Sequence, residues 1–122
     1  MKIRVYYEDT DAGGVVYHAN YLKFCERARS ENIFLKHSSP QRGEKHFVIT
    51  KMEASFKASA KLGDLIDVSY EVHSMGRASI NIFQEIHSSE GKLLFSMLGT
   101  YALTDENGKP CKLSQEDKDL FS

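Results

Sequence analysis

The chain has 122 residues and a mass of 13.8 kDa, which is the size of one domain spanning residues 1–122 with room for a single core. Sixteen Lys and Arg against seventeen Asp and Glu leave a net charge of −1. That balance argues against a protein that grips nucleic acid or an anionic membrane through surplus positive charge. With 41% hydrophobic and 27% charged residues, the composition is that of a folded globular domain.

The opening stretch from Met1 to Asp9 has no apolar run of signal-peptide length. The uncharged run 93–104 falls well short of the ~20 apolar residues of a spanning helix. A soluble protein of the cytoplasm, without membrane insertion, is the expectation. Cys25 and Cys111 make neither a disulfide framework nor a metal-type pair, as in a reducing compartment.

Along the chain, Ile3, Val5 and Tyr7 alternate with Lys2, Arg4 and Tyr6, which predicts a half-buried strand. From Tyr17 the period changes. Tyr17, Tyr21, Phe24, Cys25, Ala28 and Leu35 fall at helical spacing, so a helix with one buried face is predicted, capped by Asn20 or a residue just before it and fading near Lys36. Four strands follow. In the first, Val48, Thr50, Met52, Ala54 and Phe56 share a face. The second alternates Ile66, Val68, Tyr70 and Val72 with polar residues, and the third alternates Ala78, Ile80, Ile82 and Ile86. The fourth, residues 93–103, is apolar almost throughout. Gly63-Asp64, Met75-Gly76, Glu90-Gly91 and Asn107-Gly108 mark turns. The tail from Asp105 is predicted to be a solvated turn and a short helix. The expected fold is α+β, with a five-stranded antiparallel sheet covering one long helix.

The densest polar and glycine run is Glu8-Asp9-Thr10-Asp11-Ala12-Gly13-Gly14, between the first strand and the helix. A loop there lies beside unpaired helix N–H groups, and its glycines let backbone approach a ligand closely. Three readings stand on composition: a turn with helix-capping acids, a divalent-metal site of Asp9, Asp11 and His18, or a catalytic carboxylate facing helix N–H donors. Three acids with no following Lys disfavour a phosphate loop.

The run from Tyr7 to Tyr21 (YEDTDAGGVVYHANY), with D-x-D-x-x-G-x-V-x-H-x-x-Y from Asp9 to Tyr21, resembles the signature of the hotdog-fold 4-hydroxybenzoyl-CoA thioesterase family. It is most similar to the Tol–Pal-associated acyl-CoA thioesterase branch, the YbgC group. The resemblance continues through Phe56-Lys57-Ala58, Leu62-Gly63-Asp64, Gly76-Arg77-Ala78-Ser79, Phe83-Gln84 and Asn107-Gly108-Lys109-Pro110, so it covers most of the chain. Ser59 departs from it, standing where a proline is expected before Ala60.

The resemblance implies a hotdog fold, in which the sheet wraps the helix. It also implies homodimers or homotetramers with active sites at the dimer interface. Asp11 matches the catalytic carboxylate, which either attacks the thioester carbonyl to give a mixed anhydride or activates water. The backbone N–H at His18 is placed to polarise the carbonyl oxygen, while the His18 ring orients substrate or water. Tyr7 matches a further active-site position. The phosphates of CoA call for cations: Arg77 lies in a CoA-contacting turn, and Lys57 and Lys61 in a loop nearby. The implied substrate is acyl-CoA, or an acyl carrier protein bearing the same phosphopantetheine arm, with no metal and no cofactor. Two other readings of such a domain are a hotdog dehydratase and a non-catalytic acyl binder of the cell-envelope machinery. The dehydratase would need an acid on the long helix, where Glu26 and Glu31 lack a matching motif.

Overall fold

Alternating and helical patterns meet in a computed structural model that describes residues Met1–Ser122. The order is β1 (Lys2–Arg4), a 3-10 turn (Tyr7–Asp9), α1 (His18–Phe34), β2 (Gln41–Arg42), β3 (Lys45–Phe56), β4 (Leu65–Val68), β5 (Glu71–Met75), β6 (Ser79–His87), β7 (Leu93–Thr104) and α2 (Gln115–Asp119). All strands belong to one antiparallel sheet in the order β1-β4-β6-β7-β3-β2, with β5 also pairing β6. The sheet holds α1 against its inner face, which is the hotdog arrangement.

The sheet has seven strand segments rather than the expected five. β2 is a two-residue hairpin arm on Lys45 and His46. β4 and β5 are one strand interrupted at Ser69-Tyr70, since Val68 pairs with Ile86 and Glu71 with Phe83. The interruption has a local cause. The Ser69 hydroxyl, not its carbonyl, accepts the Glu85 N–H at 2.8 Å. The freed Ser69 carbonyl instead accepts the buried Gln84 amide at 3.2 Å.

Two further expectations are corrected. β1 stops at Arg4 because the Asp9 carboxylate accepts the Tyr6 N–H at 2.9 Å and turns the chain into the 3-10 segment. Tyr7 is therefore not a half-buried strand residue but is 83% exposed. In β3 the pairing with β7 slips between Ile49 and Lys51. This bulge at Thr50 reverses the alternation. Phe47 and Ile49, paired with the buried Leu103 and Tyr101, join Met52, Ala54 and Phe56 on the inner face, displacing Val48 and Thr50.

On α1 the buried residues are Asn20, Tyr21, Phe24, Cys25, Ala28 and Ile33. Tyr17 and Leu35 are exposed because they stand just outside the helix at either end. The interior has two apolar parts. One gathers Tyr21, Phe24, Ile86, Phe95 and Met97 under the start of α1. The other gathers Ile33, Ile80, Ile82, Tyr101 and Leu103 with Leu113, Leu120 and Phe121 of the tail. Gln84 lies between Ile82 and Ile86 with no exposure. Its amide donates to the Cys25 carbonyl at 3.0 Å and its oxygen accepts from Arg29 at 3.0 Å. No helix is long and apolar enough to cross a membrane.

Candidate active site

The loop between the 3-10 turn and α1 is built by its acids and glycines. Asp11 N–H donates to the Val15 carbonyl at 2.8 Å, and Gly14 N–H donates to the Asp11 carbonyl at 3.1 Å. Gly14 takes a positive φ of 79°, which closes this turn at no Cβ cost. Thr10 and Val16 bridge across its base, and Val15 bridges to Lys61. The Asp11 carboxylate stands exposed at the tip, with one oxygen accepting the Gly13 N–H at 2.8 Å.

Asp9 does the opposite work. It is 2% exposed. One oxygen takes the Tyr6 N–H and the other the Asn20 amide at 3.0 Å, while its carbonyl accepts the Tyr17 N–H at 2.9 Å. Asp9 thus ties the loop to the first turn of α1. With both its oxygens engaged it does not converge with Asp11 and His18, and no cluster of three metal-ligating side chains forms here or elsewhere. The metal reading of this loop has no geometric support.

Asn20 does not cap the helix, because its side chain is committed to Asp9. Tyr17 occupies the cap position and makes no side-chain hydrogen bond there. The His18 and Ala19 N–H groups consequently have no acceptor within the chain. The first turn also carries no acidic residue. An uncapped helix start concentrates partial positive charge and free donors.

Beside it opens a cleft of about 320 Å³ lined by Val16, His18, Tyr21, Phe56, Lys57, Ala58 and Ser59. Its apolar wall is an aromatic cluster. Tyr21 stacks on Phe95 at 5.2 Å, and Phe56 lies 5.9 Å from Tyr21 and 5.1 Å from Phe95. The His18 ring sits 4.4 Å from Tyr17 and 6.4 Å from Phe56. The segment Lys57–Lys61 needs no proline at Ser59 to be held. Lys57 and Ala58 N–H groups donate to Leu94, Ala60 N–H to the Tyr21 hydroxyl, and Lys61 N–H to Asp64.

Among the expected site residues, His18 and Lys57 line the cleft, Lys61 is bridged to Val15 of the adjoining loop, and Asp11 stands at the tip of that loop, outside the cleft's lining. Tyr7 is next to that loop, on the 3-10 turn, with its carbonyl accepting from the Thr10 hydroxyl at 2.8 Å. Arg77 is not there. It lies exposed before β6, whose residues Ser79 and Ile86 pair near opposite ends of β7. Seven strand residues place Arg77 about 23 Å or more away. The Tyr21 hydroxyl and the Asp9–Asn20 pair were not singled out from sequence. Sequence carries little signal for either, since Asn20 follows Asp9 by 11 residues of mostly loop, and the Tyr21 hydroxyl meets Ala60 from a distant segment only in the fold.

A curled antiparallel sheet around one long helix is the hotdog architecture, and its solved likenesses include thioesterases. The chain belongs to the Thioesterase superfamily, whose family model matches residues 13–95. It is 44% identical over 97 residues to the acyl-CoA thioesterase YbgC of Helicobacter pylori, covering 80% of this chain and 73% of that one. It is 46% identical over 95 residues to the acyl-CoA thioester hydrolase YbgC of Escherichia coli, covering 75% and 71%. A probable thioesterase from Bartonella henselae superposes with a TM-score of 0.86 at 34% identity, over 93% of this chain and 97% of that one. A 1,4-dihydroxy-2-naphthoyl-CoA thioesterase from Synechocystis shares the fold at a TM-score of 0.90 and 24% identity, over 99% and 93%.

Proposed function

We propose that the chain is an acyl-CoA thioesterase that cleaves its substrate between Asp11 and the open start of α1. The observation that carries this reading is the uncapped N–H pair at His18 and Ala19 beside a carboxylate loop. A thioester carbonyl oxygen accepting these donors gains stabilisation as negative charge grows on it, worth several kcal/mol in a preorganised site. The Asp11 carboxylate then serves the carbon, either by direct attack, with thiolate leaving and water cleaving the anhydride, or by taking a proton from water that attacks instead. The His18 ring borders the same cleft and orients substrate or water. Tyr7 is assigned beside the loop, and Lys57 and Lys61 face the CoA phosphates.

The assembled form in this reading is a homodimer, or a tetramer of two such dimers. β3 supports it: one edge is bonded to β7, while the other is free beyond His46. Antiparallel pairing of two such edges turns the Arg77 end of one sheet toward the His18 end of its neighbour, which is how Arg77 joins the CoA site. Acyl carrier protein is a second carrier with the same thioester arm, and the cytoplasm is the assigned compartment.

Asp11→Asn tests the assignment. The amide is neither base nor adequate nucleophile, so kcat for thiol release from acyl-CoA is expected to fall by about 10²–10⁴ with the circular dichroism spectrum unchanged. Near-native kcat in that variant sinks the reading. Single turnover in ¹⁸O water separates the two routes, because label enters the Asp11 carboxylate only through the anhydride. Thiol release itself separates hydrolysis from a dehydratase or a passive acyl binder.

A further inference from the structure

The His18 cleft has a counterpart three turns along α1. A second cavity of about 210 Å³ is lined by Arg29, Ile33, Phe47, Ile49, Tyr101 and Phe121, among others. A third cavity, about 580 Å³, is on the other flank of α1, at Asn32, Tyr70 and His87.

The first two cavities share no lining residue, and α1 and the inner face of β3 bound the furrow that runs between them. His18 and Arg29 are eleven residues apart, which returns to within about 20° of the same helix face. Leu22 lies between them on that face. The opposite wall is the inner face of β3, from Phe56 at the His18 end through Met52 to Ile49 and Phe47 at the Arg29 end. Phe56, Met52 and Ile49 are all exposed large apolar residues, so the furrow has an open hydrocarbon floor. Its length along α1 is about 16 Å.

The far end is polar in an unusual way. The Arg29 guanidinium lies 4.6 Å from the Tyr101 ring centroid and donates one hydrogen bond, to Gln84. Arg29 forms no ion pair with any carboxylate. Glu26 lines the same cavity but accepts the Ser30 hydroxyl at 2.6 Å instead. Tyr101 is 5% exposed, and its buried hydroxyl has no partner. Gly99 makes room for that ring, since a methyl there would meet its carbons at 2.8 Å. A half-buried guanidinium whose other donors face an open cavity is placed to receive an anion there.

We infer that Arg29 is a specificity-determining residue which receives the distal carboxylate of the acyl group, so that the furrow selects monothioesters of medium-length dicarboxylic acids. This rests on the acyl-thioester reading above. Methylenes pack on Met52, Ile49 and Phe47, and the planar guanidinium suits a carboxylate in two-point contact.

The test is thiol release by the full chain with pairs of acyl-CoAs of equal carbon number, one ending in methyl and one in carboxylate, from short to medium length. Once the chain is long enough to reach Arg29, kcat/KM is expected to favour the carboxylate end by about tenfold or more. Arg29→Met should bring that ratio to near one, and Arg29→Lys should keep part of it. A wild-type ratio at or below one at every length overturns the inference, and so does a ratio that survives in Arg29→Met. Should Arg29→Met fail to fold, the wild-type ratio decides alone. If no acyl-CoA is cleaved, the thioesterase reading falls, and calorimetric titration with free dicarboxylic and monocarboxylic acids of equal length decides the furrow. Tighter dicarboxylate binding supports it, and equal binding overturns it.

Discussion

At the scale of single residues, two aspartates two positions apart are put to opposite uses by their surroundings. Asp11 is held only by its own turn, through Gly13, and stays accessible. Asp9 is buried and serves Tyr6, Asn20 and, through its carbonyl, Tyr17. Asp9→Ala strands one buried donor, the Asn20 amide, and one partly buried donor, the Tyr6 N–H. It is expected to lower unfolding free energy by about 2–4 kcal/mol in urea melts, at one to two kcal/mol per lost partner. The Asp9 and Asp11 side chains read alike in a sequence, and only the motif resemblance told them apart. Cys25 was legible as an idle thiol: burial pushes it up to about 12, with Arg29 pulling weakly the other way, so it remains protonated at neutral pH. Arg29, Gln84 and Tyr101 were not legible as a group, because they come from a helix and two strands and meet only inside the fold.

At the scale of elements, periodicity identified α1 and the long strands, while side-chain hydrogen bonds decided where they end. Ser69 breaks β4 from β5 and Asp9 ends β1, and neither residue type breaks a strand by propensity alone. The Thr50 bulge was invisible for the same reason: both alternations across residues 47–56 offer apolar residues. The terminal helix was expected, and its clasp is a finding. Ser114 and Asp117 cap each other, with Ser114 N–H donating to the carboxylate at 2.9 Å and Asp117 N–H to the hydroxyl at 3.0 Å. Arg42 of β2 adds an ion pair at 3.2 Å. Burial pushes the Asp117 carboxyl up, but these hydrogen bonds and the Arg42 charge outweigh it and hold it below its usual range. A carboxyl lowered by folding stabilises the fold above its unfolded pKa, about 3.9, and that contribution is lost as pH falls through the folded value. Protection of the Leu120 and Phe121 amides, taken against the intrinsic exchange rate at each pH, is therefore expected to fall below about pH 4. In Asp117→Asn that protection should already be low at neutral pH.

At the scale of the whole molecule, the chain exposes 7345 Å². A compact monomer of 13.8 kDa exposes about 6,600 Å². The excess fits the uncovered face and edge of β3, a long strand of the kind that seeks a partner. Ala54→Pro removes a donor from that edge, since Lys57 N–H bonds β7 and the N–H groups of a strand alternate in direction. It is expected to shift sedimentation from the assembled species to a 13.8 kDa monomer and to lower thioesterase activity with it. A variant that stays assembled would place the subunit contact elsewhere. The division of the interior by Gln84 has a longer reach. One compartment surrounds the start of the helix and the other its end, and Gln84, bonded to Arg29 and to the Cys25 carbonyl, stands where they meet. Drift in the second compartment can retune what the protein accepts while the first keeps its geometry, so a lineage can change diet without reinventing its teeth.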